Sequence, residues 1–492
     1  MQRRRTILII ADGTRPDVLG ELIAAGELPA IAQAFPEPAM RRPAVSVFPS
    51  TTGPAFLPFL TGMYPGDLNM PGIRWFDRGA WAGRSGDPPF RSYVGIESYR
   101  MNADFRRDVP TLFDILPDSA SIFSSVNRGV PFRGNMTGLS RAWWWLFAHW
   151  TDRWDVVGVR ARARLLASLE MDPEFVFCLI PDVDNYSHLS HCRSEPAIAA
   201  YRRLDQTIGE LFRELERRRW REDTLVVMVA DHGHSAVHTH LGLPEWMAER
   251  GFMPFYYPRI WNRSFDSAVM VSGNGMAHIH LRRGGTWTAG PVPDEEVVRV
   301  FGALLGALLE RREIGIIATK RSDGAVVVRS RSGTGVVTPL GEGHFQYSTQ
   351  GGDPFGYRGL EGVWNSDDLL EETLATRYPD GPVQLEQLFH SPRTGDIVVS
   401  AEVGFDLRDK HENPEHFSGH GALHADHMVV PWFSTAPLPD VPLRTVDVFP
   451  TILHWMGKPI PPGVTGKDRL APAVEPEQAE MTGARTVGAS AF

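Results

Sequence analysis

The sequence predicts an α/β fold in which a doubly wound, mostly parallel sheet carries helices on both faces and an α+β subdomain is inserted. Three observations support this prediction. Short, continuously apolar runs rich in β-branched residues, such as Ile7–Ala11, are typical of strands that are buried on both faces. Segments with helical periodicity alternate with these runs. Polar residues follow the runs directly, at the strand ends where such folds place their functional sites.

The first part of the chain is predicted to form a βαβα unit. The strand Ile7–Ala11 ends at Asp12, and Pro16 suits the first turn of a helix that reaches about Ala25. A second strand, Ala44–Phe48, leads into two threonines, a Gly-Pro pair and another helical pattern. This order of elements is typical of a parallel sheet.

The turn that contains Thr51 and Thr52 is the stretch around which we expect the site to form. A hydroxyl at a strand-to-helix turn lies among free backbone N–H groups at the positive end of the helix dipole. Such a place favours an anion, and phosphate above all. The alternative interpretation is that either threonine only caps the helix.

The alternation of strand and helix continues to about residue 240. Apolar strands at 174–180 and 224–230 run into Asp184 and Asp231, and a long amphipathic helix lies between the two strands. Both strands therefore deliver a carboxylate to the same predicted edge of the sheet.

From about residue 241 to 389 the alternation stops. A predicted helix at 294–312 and short predicted strands indicate an inserted subdomain there. We therefore expect the core to comprise residues 1–240 and 390–470 and to resume with Gly395–Ser400. The Ala-, Glu-, Pro- and Gly-rich residues 471–492 are expected to be disordered.

Composition limits the class of protein. The chain has 492 residues, 42% of them hydrophobic, which is ample for a large buried core. A net charge of −9 argues against broad nucleic-acid binding. The only cysteines, Cys178 and Cys192, form no disulfide framework or CxxC pair. The basic N-terminus precedes too short an apolar run for a signal peptide, and no run is long enough to span a bilayer, so we expect a cytoplasmic protein.

A tryptophan-rich segment at 143–150 stands out from this composition. Its aromatic density suits a lid over a ligand, or a contact with a membrane surface or partner. A helix packed on the core explains the segment equally well.

Ligand-type residues recur at the predicted strand ends. They are Asp12, Asp184 with His188, Asp231 with His232, a histidine between 416 and 427, and Thr52. Each alone has a structural explanation, such as a helix cap. Together they form a site for two divalent metals. Three carboxylates and a threonine alkoxide would balance four positive charges, and metal coordination would make the otherwise weak threonine hydroxyl a nucleophile.

These motifs resemble the alkaline phosphatase superfamily, and most closely its type I phosphodiesterase/nucleotide pyrophosphatase branch. The similarity covers about 6–240 and 390–470. The matching segments are Ile10-Ala11-Asp12-Gly13, Phe48-Pro49-Ser50-Thr51-Thr52-Gly53-Pro54, Thr61-Gly62-Met63-Tyr64-Pro65, Asp184 to His188, Asp231-His232-Gly233 and Gly419-His420-Gly421.

The resemblance implies two ligand sets. One metal would be held by Asp184, His188 and His420, and the other by Asp12, Thr52, Asp231 and His232. The metals are expected to be zinc, with manganese as the alternative. Hydrolysis would proceed through a phosphothreonine intermediate at Thr52, whose register follows from Pro49 and Pro54.

The sequence also departs from the family. An aromatic residue that stacks on a nucleotide base usually follows the nucleophile there, whereas Gly53 stands here. The family's phosphate-binding Asn after the Tyr-Pro segment is also missing, and Arg74 is the expected substitute. Nucleotides are therefore disfavoured as substrates.

The resulting hypothesis is a two-metal hydrolase of small phosphate esters, and of diesters first. A phosphomonoesterase or a phosphonoacetate-type phosphonate hydrolase of the same superfamily is the first alternative. A non-catalytic binding protein that retains the fold is the alternative from a different class.

Overall fold

The computed structural model describes residues 3–83, 89–138, 140–261, 264–287, 290–408, 411 and 415–470. Its central sheet has seven strands, in the spatial order Leu443–Arg444, Arg41–Val45, Val429–Ser434, Thr224–Val229, Arg5–Ala11, Phe175–Ile180 and Ser119–Ile122. Val429–Ser434 is antiparallel to both neighbours, and the other pairings are parallel. The predicted mostly parallel sheet is thus confirmed. Residues 471–492, predicted to be disordered, lie outside the described part of the chain.

The register of the central strands determines where their polar successors meet. Arg5–Ala11 is wholly buried and lies between two other buried strands, with Ala11 opposite Ile180 and Ile10 opposite Val229. All three strands run in the same direction, so their carboxyl ends reach one edge of the sheet together. Asp12 and Asp231 follow their apolar runs directly at that edge, and Asp184 follows in the first turn of the helix Asp182–Ser190.

Helices cover both faces of this sheet. The longest, Glu195–Arg217, begins at the cap Ser194, whose hydroxyl accepts a hydrogen bond from the Ala197 N–H. It buries the periodic apolar residues that predicted it, including Tyr201 and Leu204. The α-helices are Pro16–Ala24, Pro29–Ala34, Leu57–Thr61, Arg78–Gly83, Met101–Asp104, Leu112–Ile115, Ser140–Thr151, Trp154–Ser168, Asp182–Ser190, Glu195–Arg217, Leu243–Ala248, Asp294–Leu309, Ser366–Thr373, Gly381–Leu388, Ala425–Met428 and Val448–Trp455.

A second sheet of nine strands accounts for most of the segment predicted as an insertion. In spatial order its strands are Gly362–Asn365, His344–Gln350, Gly333–Gly341, Val326–Ser330, Ile314–Lys320, Ile397–Ala401, Met276–Leu281, Ser267–Ser272 and Pro254–Phe255. Ile397–Ala401, where the core was expected to resume, pairs with Met276–Leu281 and Ile314–Lys320 in this second sheet. An apolar run in the sequence predicts a buried strand, but it does not indicate which sheet that strand joins. The division into core and insertion stays a proposal.

Two smaller sheets complete the strands. Ser235–His240 pairs with Gly404–Asp406 and with Ser418–Gly419. In the chain, Ser235–His240 comes directly after the strand end that carries one of the three carboxylates. Arg74–Phe76 and Phe90–Ser92 form a separate antiparallel pair, and both strands follow the turn at Thr52 in the sequence.

The tryptophan-rich segment forms the helix Ser140–Thr151. Trp144 and Trp145 pack partly buried against the core, which agrees with the interpretation as a packed helix. Trp143 and Trp150 are 62% and 79% exposed, so the same helix also presents an apolar stripe. Among the described residues, we find no helix with the length and apolarity needed to cross a membrane.

Candidate active site

Three carboxylates that lie far apart in sequence meet at the edge of the central sheet. Asp12 and Asp231 are almost completely buried, and Asp184 is 6% exposed. Potential ligand atoms lie within 4.8 Å of one another in three sets, which are Asp184 with His188 and His234, Asp184 with His232 and His420, and Asp12 with Asp231 and His232. The structure thus brings together all the residues predicted as metal ligands. Their coordination of metal stays a prediction.

Asp184 is the centre of the first group. Its Oδ1 lies 3.4 Å from Nε2 of His188 and 3.9 Å from Nε2 of His420. Asp184 and His188 share the helix Asp182–Ser190, where a spacing of four residues places both side chains on one face. His420 reaches them from the Ser418–Gly419 strand.

The second group surrounds the hydroxyl of Thr52. The Thr52 Oγ1 atom lies 3.0 Å from Nε2 of His232 and 3.3 Å from Oδ1 of Asp12. The same histidine nitrogen lies 3.4 Å from Asp12 and 3.5 Å from Oδ2 of Asp231. A single small volume therefore collects a hydroxyl, an imidazole and two carboxylates.

Backbone carbonyl groups fix the orientation of the histidines. The Nδ1 atoms of His188, His232 and His420 lie 2.8, 3.1 and 3.0 Å from the carbonyl oxygens of Ser418, Gly233 and Ser50. A carbonyl only accepts, so each Nδ1 carries the proton and each Nε2 keeps its lone pair. This is the usual second contact of histidines that bind metals.

The electrostatics of the site require positive charge. Burial raises the pKa of Asp12 well above its usual range, and the neighbouring Asp231 and Asp184 add to this effect. Burial also raises the pKa of Asp231, whose Oδ2 has no hydrogen-bond partner among the described residues. Burial alone would raise the pKa of Asp184, but His188 and His234 outweigh it and hold that pKa low. Crowded carboxylates with an orphaned oxygen form a donor set that divalent cations can fill, so these residues fit a metal site.

The turn at the nucleophile candidate has an unusual backbone. Gly53 has φ +95°, and a 3₁₀ turn at Pro54–Phe56 precedes the short helix Leu57–Thr61. The alternative interpretation of either threonine as a helix cap does not hold, because Gly53 is the cap of the 3₁₀ turn and Phe56 that of the helix, with no side-chain bond at either. The Thr51 hydroxyl is buried with no partner in the described part of the chain. Thr52, by contrast, is partly exposed and points its hydroxyl at the ligand cluster.

Sequence reasoning missed two further histidines. His234 contacts Asp184 with Nε2 at 2.8 Å from Oδ1, and burial lowers its pKa to about 3. The ring of His416 lies 4.3 Å from that of His188. The signal for His234 was present, since it follows Asp231-His232-Gly233 directly. His416 was included in the His-rich loop but not distinguished from its neighbours.

Arg74, the predicted phosphate contact, begins the strand Arg74–Phe76. Its Nε donates to the Ser92 hydroxyl at 3.3 Å, and its guanidinium lies 5.8 Å from the ring centre of Tyr257. The adjoining Gly72 packs so closely on Ser272 that a Cβ would lie 2.3 Å from its hydroxyl oxygen. The next residue, Gly273, packs in the same way on His420. The role of Arg74 in substrate binding stays a prediction.

Comparison with solved structures shows the same fold in hydrolases. Phosphonoacetate hydrolase from Sinorhizobium meliloti 1021, solved with phosphonoacetate, superposes with a TM-score of 0.57 at 16% identity, covering 92% of this chain and 96% of that one. An inactive form of murine ectonucleotide pyrophosphatase/phosphodiesterase 5 with AMP gives a TM-score of 0.57 at 11% identity, with 94% and 96% covered. The human protein of that name gives 0.56 at 12% identity, with 93% and 96% covered.

Comparison by sequence is more specific. No curated protein sequence matches the chain. The profile of one family, described as type I phosphodiesterase/nucleotide pyrophosphatase, matches residues 6–427 and so spans the ligand cluster from Asp12 to His420. The chain therefore belongs to the type I phosphodiesterase/nucleotide pyrophosphatase family.

Proposed function

We propose that this protein is a metal-dependent hydrolase of phosphate esters that prefers diesters and uses Thr52 as its nucleophile. The observation that carries this proposal is the position of the Thr52 hydroxyl, 3.0 Å from His232 Nε2 and 3.3 Å from Asp12 Oδ1. A threonine hydroxyl is a weak nucleophile that needs an adjacent base or a metal ion to activate it, and either neighbour could serve as the base or as a metal ligand. Membership of the family supports the class of reaction.

Two metals fit the donor atoms. Asp184, His188 and His420 would hold one, and Asp12, Thr52, Asp231 and His232 the other. Mixed imidazole and carboxylate donors suit zinc, and manganese is the alternative. Bound there, the metals would lower the pKa of the Thr52 hydroxyl and stabilise negative charge on the phosphoryl oxygens.

The chain's own residues then define two steps. The Thr52 oxygen forms a bond to phosphorus while the bond from phosphorus to the leaving oxygen breaks, and the alcohol departs with a proton. Water attacks the phosphothreonine, the bond to Thr52 breaks, and the second product leaves. Asp12 and His232 position the Thr52 oxygen in both steps, because each lies within hydrogen-bond reach of it.

The position after the nucleophile argues against nucleotides. Gly53 has φ +95°, a conformation that residues with a side chain rarely adopt. A Cβ there would also lie 2.8 Å from the terminal methyl of Met101. An aromatic platform for a base is therefore unavailable at this position, and a smaller or differently shaped leaving group is expected.

A panel of esters tests the proposal. Metal-free protein is reconstituted with zinc or manganese and assayed with p-nitrophenyl phosphate, bis-p-nitrophenyl phosphate and phosphonoacetate, following nitrophenol or phosphate release. We expect the diester to have the highest kcat/KM and acid quenching to trap phosphate on Thr52. A higher kcat/KM for the monoester or phosphonoacetate would support the alternative hydrolases. Two bound metals without turnover of any substrate would support the non-catalytic binding protein.

A further inference from the structure

His234 has no role in the two ligand sets proposed above, yet it lies inside the Asp184 group. Its side chain is completely buried. Its Nε2 is 2.8 Å from Asp184 Oδ1, closer than the Nε2 of either His188 or His420. Its ring centre lies 4.8 Å from that of His188 and 5.4 Å from that of His420. The Nε2 atom of His232 also lies 3.9 Å from this oxygen, so four imidazoles surround one carboxylate oxygen.

Hydrogen bonding fixes the tautomer of His234. The Ser418 hydroxyl lies 2.7 Å from the carbonyl oxygen of Ser187, which can only accept, so Ser418 donates its single hydrogen there. The same hydroxyl oxygen lies 3.1 Å from His234 Nδ1 and must accept from it. His234 therefore carries its proton on Nδ1. The other tautomer would leave the two oxygens of Ser418 and Ser187 facing each other without a hydrogen.

With Nδ1 bonded to Ser418, Nε2 is the ring nitrogen that faces Asp184 Oδ1, at 2.8 Å. A cation must join these two atoms, either a proton or a metal ion. We propose that His234 is a fourth protein ligand of the metal held by Asp184, His188 and His420. The inference rests on the metal centre of the proposed function and adds a residue to it.

The distances from Asp184 Oδ1 to the three imidazole nitrogens bracket the ligand spacing of such a site. A tetrahedral zinc ion with bonds of about 2.0 Å separates its ligand atoms by about 3.3 Å. The Nε2 atoms of His234, His188 and His420 lie 2.8, 3.4 and 3.9 Å from Asp184 Oδ1, on both sides of that value.

Gly13 makes room for this arrangement. It has φ +66°, and a Cβ there would lie 2.8 Å from two atoms of the His234 ring and from the Asp184 Cα. The residue beside Asp12 must therefore lack a side chain for His234 to reach Asp184. With four protein ligands, the Asp184 site would be closed, and a substrate oxygen would enter it only as a fifth ligand.

Direct detection of the metal–nitrogen bond tests the inference. The full-length protein, labelled with ¹⁵N-histidine, is loaded with two equivalents of ¹¹³Cd²⁺. We expect one-bond ¹⁵N–¹¹³Cd coupling at Nε2 of four histidines, namely His188, His232, His234 and His420. His234→Asn should remove one coupled signal. It should also weaken zinc binding at one of the two sites by at least about 100-fold, beyond the 10–100-fold effect of an indirect contact.

Two further variants keep the test decisive. His278→Asn is the matched control, because His278 is equally buried but its nitrogens contact the Pro71 carbonyl and the Gly395 N–H, so both metals should stay bound. Ser418→Ala removes the tautomer lock without removing the ligand. We expect it to retain the His234 coupling and weaken zinc binding by about 10-fold. A proton on His234 Nε2, with coupling at the other three histidines only, would overturn the inference.

The outcomes separate this inference from the proposed function. Coupling at His234 without turnover of any phosphate ester would sustain the fourth ligand and refute the hydrolase. Turnover with two metals bound but no coupling at His234 would sustain the hydrolase and refute the fourth ligand.

Discussion

The imidazole rings of His232 and His420 stack face to face, with ring centres 3.7 Å apart and an angle of 10° between their planes. His232 follows a strand of the central sheet, whereas His420 comes from the loop near the end of the core. His232 Nε2 lies 3.4 Å from Asp12, and His420 Nε2 lies 3.9 Å from Asp184. The stack thus brings the two proposed ligand sets into contact. Because each ring belongs to a different set, a substitution of one histidine tests one metal site at a time.

His420→Ala should remove the metal of the Asp184 group and most of the activity. His424 and His427 lie close in sequence, but His427 contacts the Ser235 hydroxyl and the Ala422 N–H instead of a carboxylate. His427→Ala is therefore the control and should keep both metals despite some loss of stability. Elemental analysis of bound metal and kcat/KM for the diester, measured for each variant, distinguish these histidines. Retention of metal by His420→Ala and its loss in His424→Ala or His427→Ala would contradict the assignment.

Thr52→Val and Thr51→Val form a matched pair at adjacent positions. Thr52→Val should lower kcat/KM by at least about 1,000-fold, because the covalent step is lost. Thr51→Val replaces a buried hydroxyl that lacks a partner among the described residues, so the free energy of unfolding should change by less than about 1 kcal/mol. Phosphopeptide mapping after acid quenching identifies the acceptor. Phosphate on Thr51 would show that the register is wrong.

Removal of metal should make stability depend on pH in a defined direction. The pKa of Asp12 is raised in the folded, metal-free protein, chiefly by burial and then by Asp231 and Asp184. Its contribution to stability is therefore fully present below the unfolded pKa of about 4 and is lost as pH rises through the folded pKa. Asp12→Asn should raise the Tm of chelator-treated protein at pH 8 more than at pH 5. An equal rise in Tm at both pH values would argue against the raised pKa of Asp12 as the cause of the pH dependence.

Asp396→Ala should strongly destabilise the protein without acting on the metals. The Arg78 and Asp396 side chains pair with no exposure to solvent, and Asp396 also accepts from the N–H groups of Leu281 and Val292 at 2.5 and 2.6 Å. Removing one partner of such a pair leaves a buried charge and costs about 3–5 kcal/mol. Urea denaturation of the zinc-loaded protein measures the loss. A change below 1 kcal/mol would mean that water replaces the carboxylate.

Arg74→Ala should raise KM for the diester several-fold with less effect on kcat. The reason is that Gly72 packs on Ser272, whose neighbour Gly273 packs on His420. A matched control is Arg100→Ala, an exposed arginine of the Ile96–Arg100 turn. Unchanged kcat/KM in Arg74→Ala would identify an ordinary loop arginine.

Much of the core could be predicted because its signals are local. Asp12 and Asp231 each follow a continuous apolar run, and a parallel sheet brings such strand ends together whatever lies between them. The place of Ile397–Ala401 in the second sheet could not be predicted because both of its pairings are long-range, whereas the other pairings of that sheet join consecutive strands. Family motifs led to His420, but His234 was overlooked because its contact with Asp184 depends on the path of the chain after the strand.

Gly53 links the reactivity of this protein to its choice of substrate. The methyl group of Met101 ends a flexible side chain and can move aside, but the backbone at φ +95° also orients the neighbouring Thr52. A side chain at position 53 would cost about 1–3 kcal/mol in that conformation, or would rotate the turn and misdirect the hydroxyl. A change of leaving-group specificity would therefore have to arise at positions other than 53. At position 53 itself, specificity cannot change without also disturbing the nucleophile.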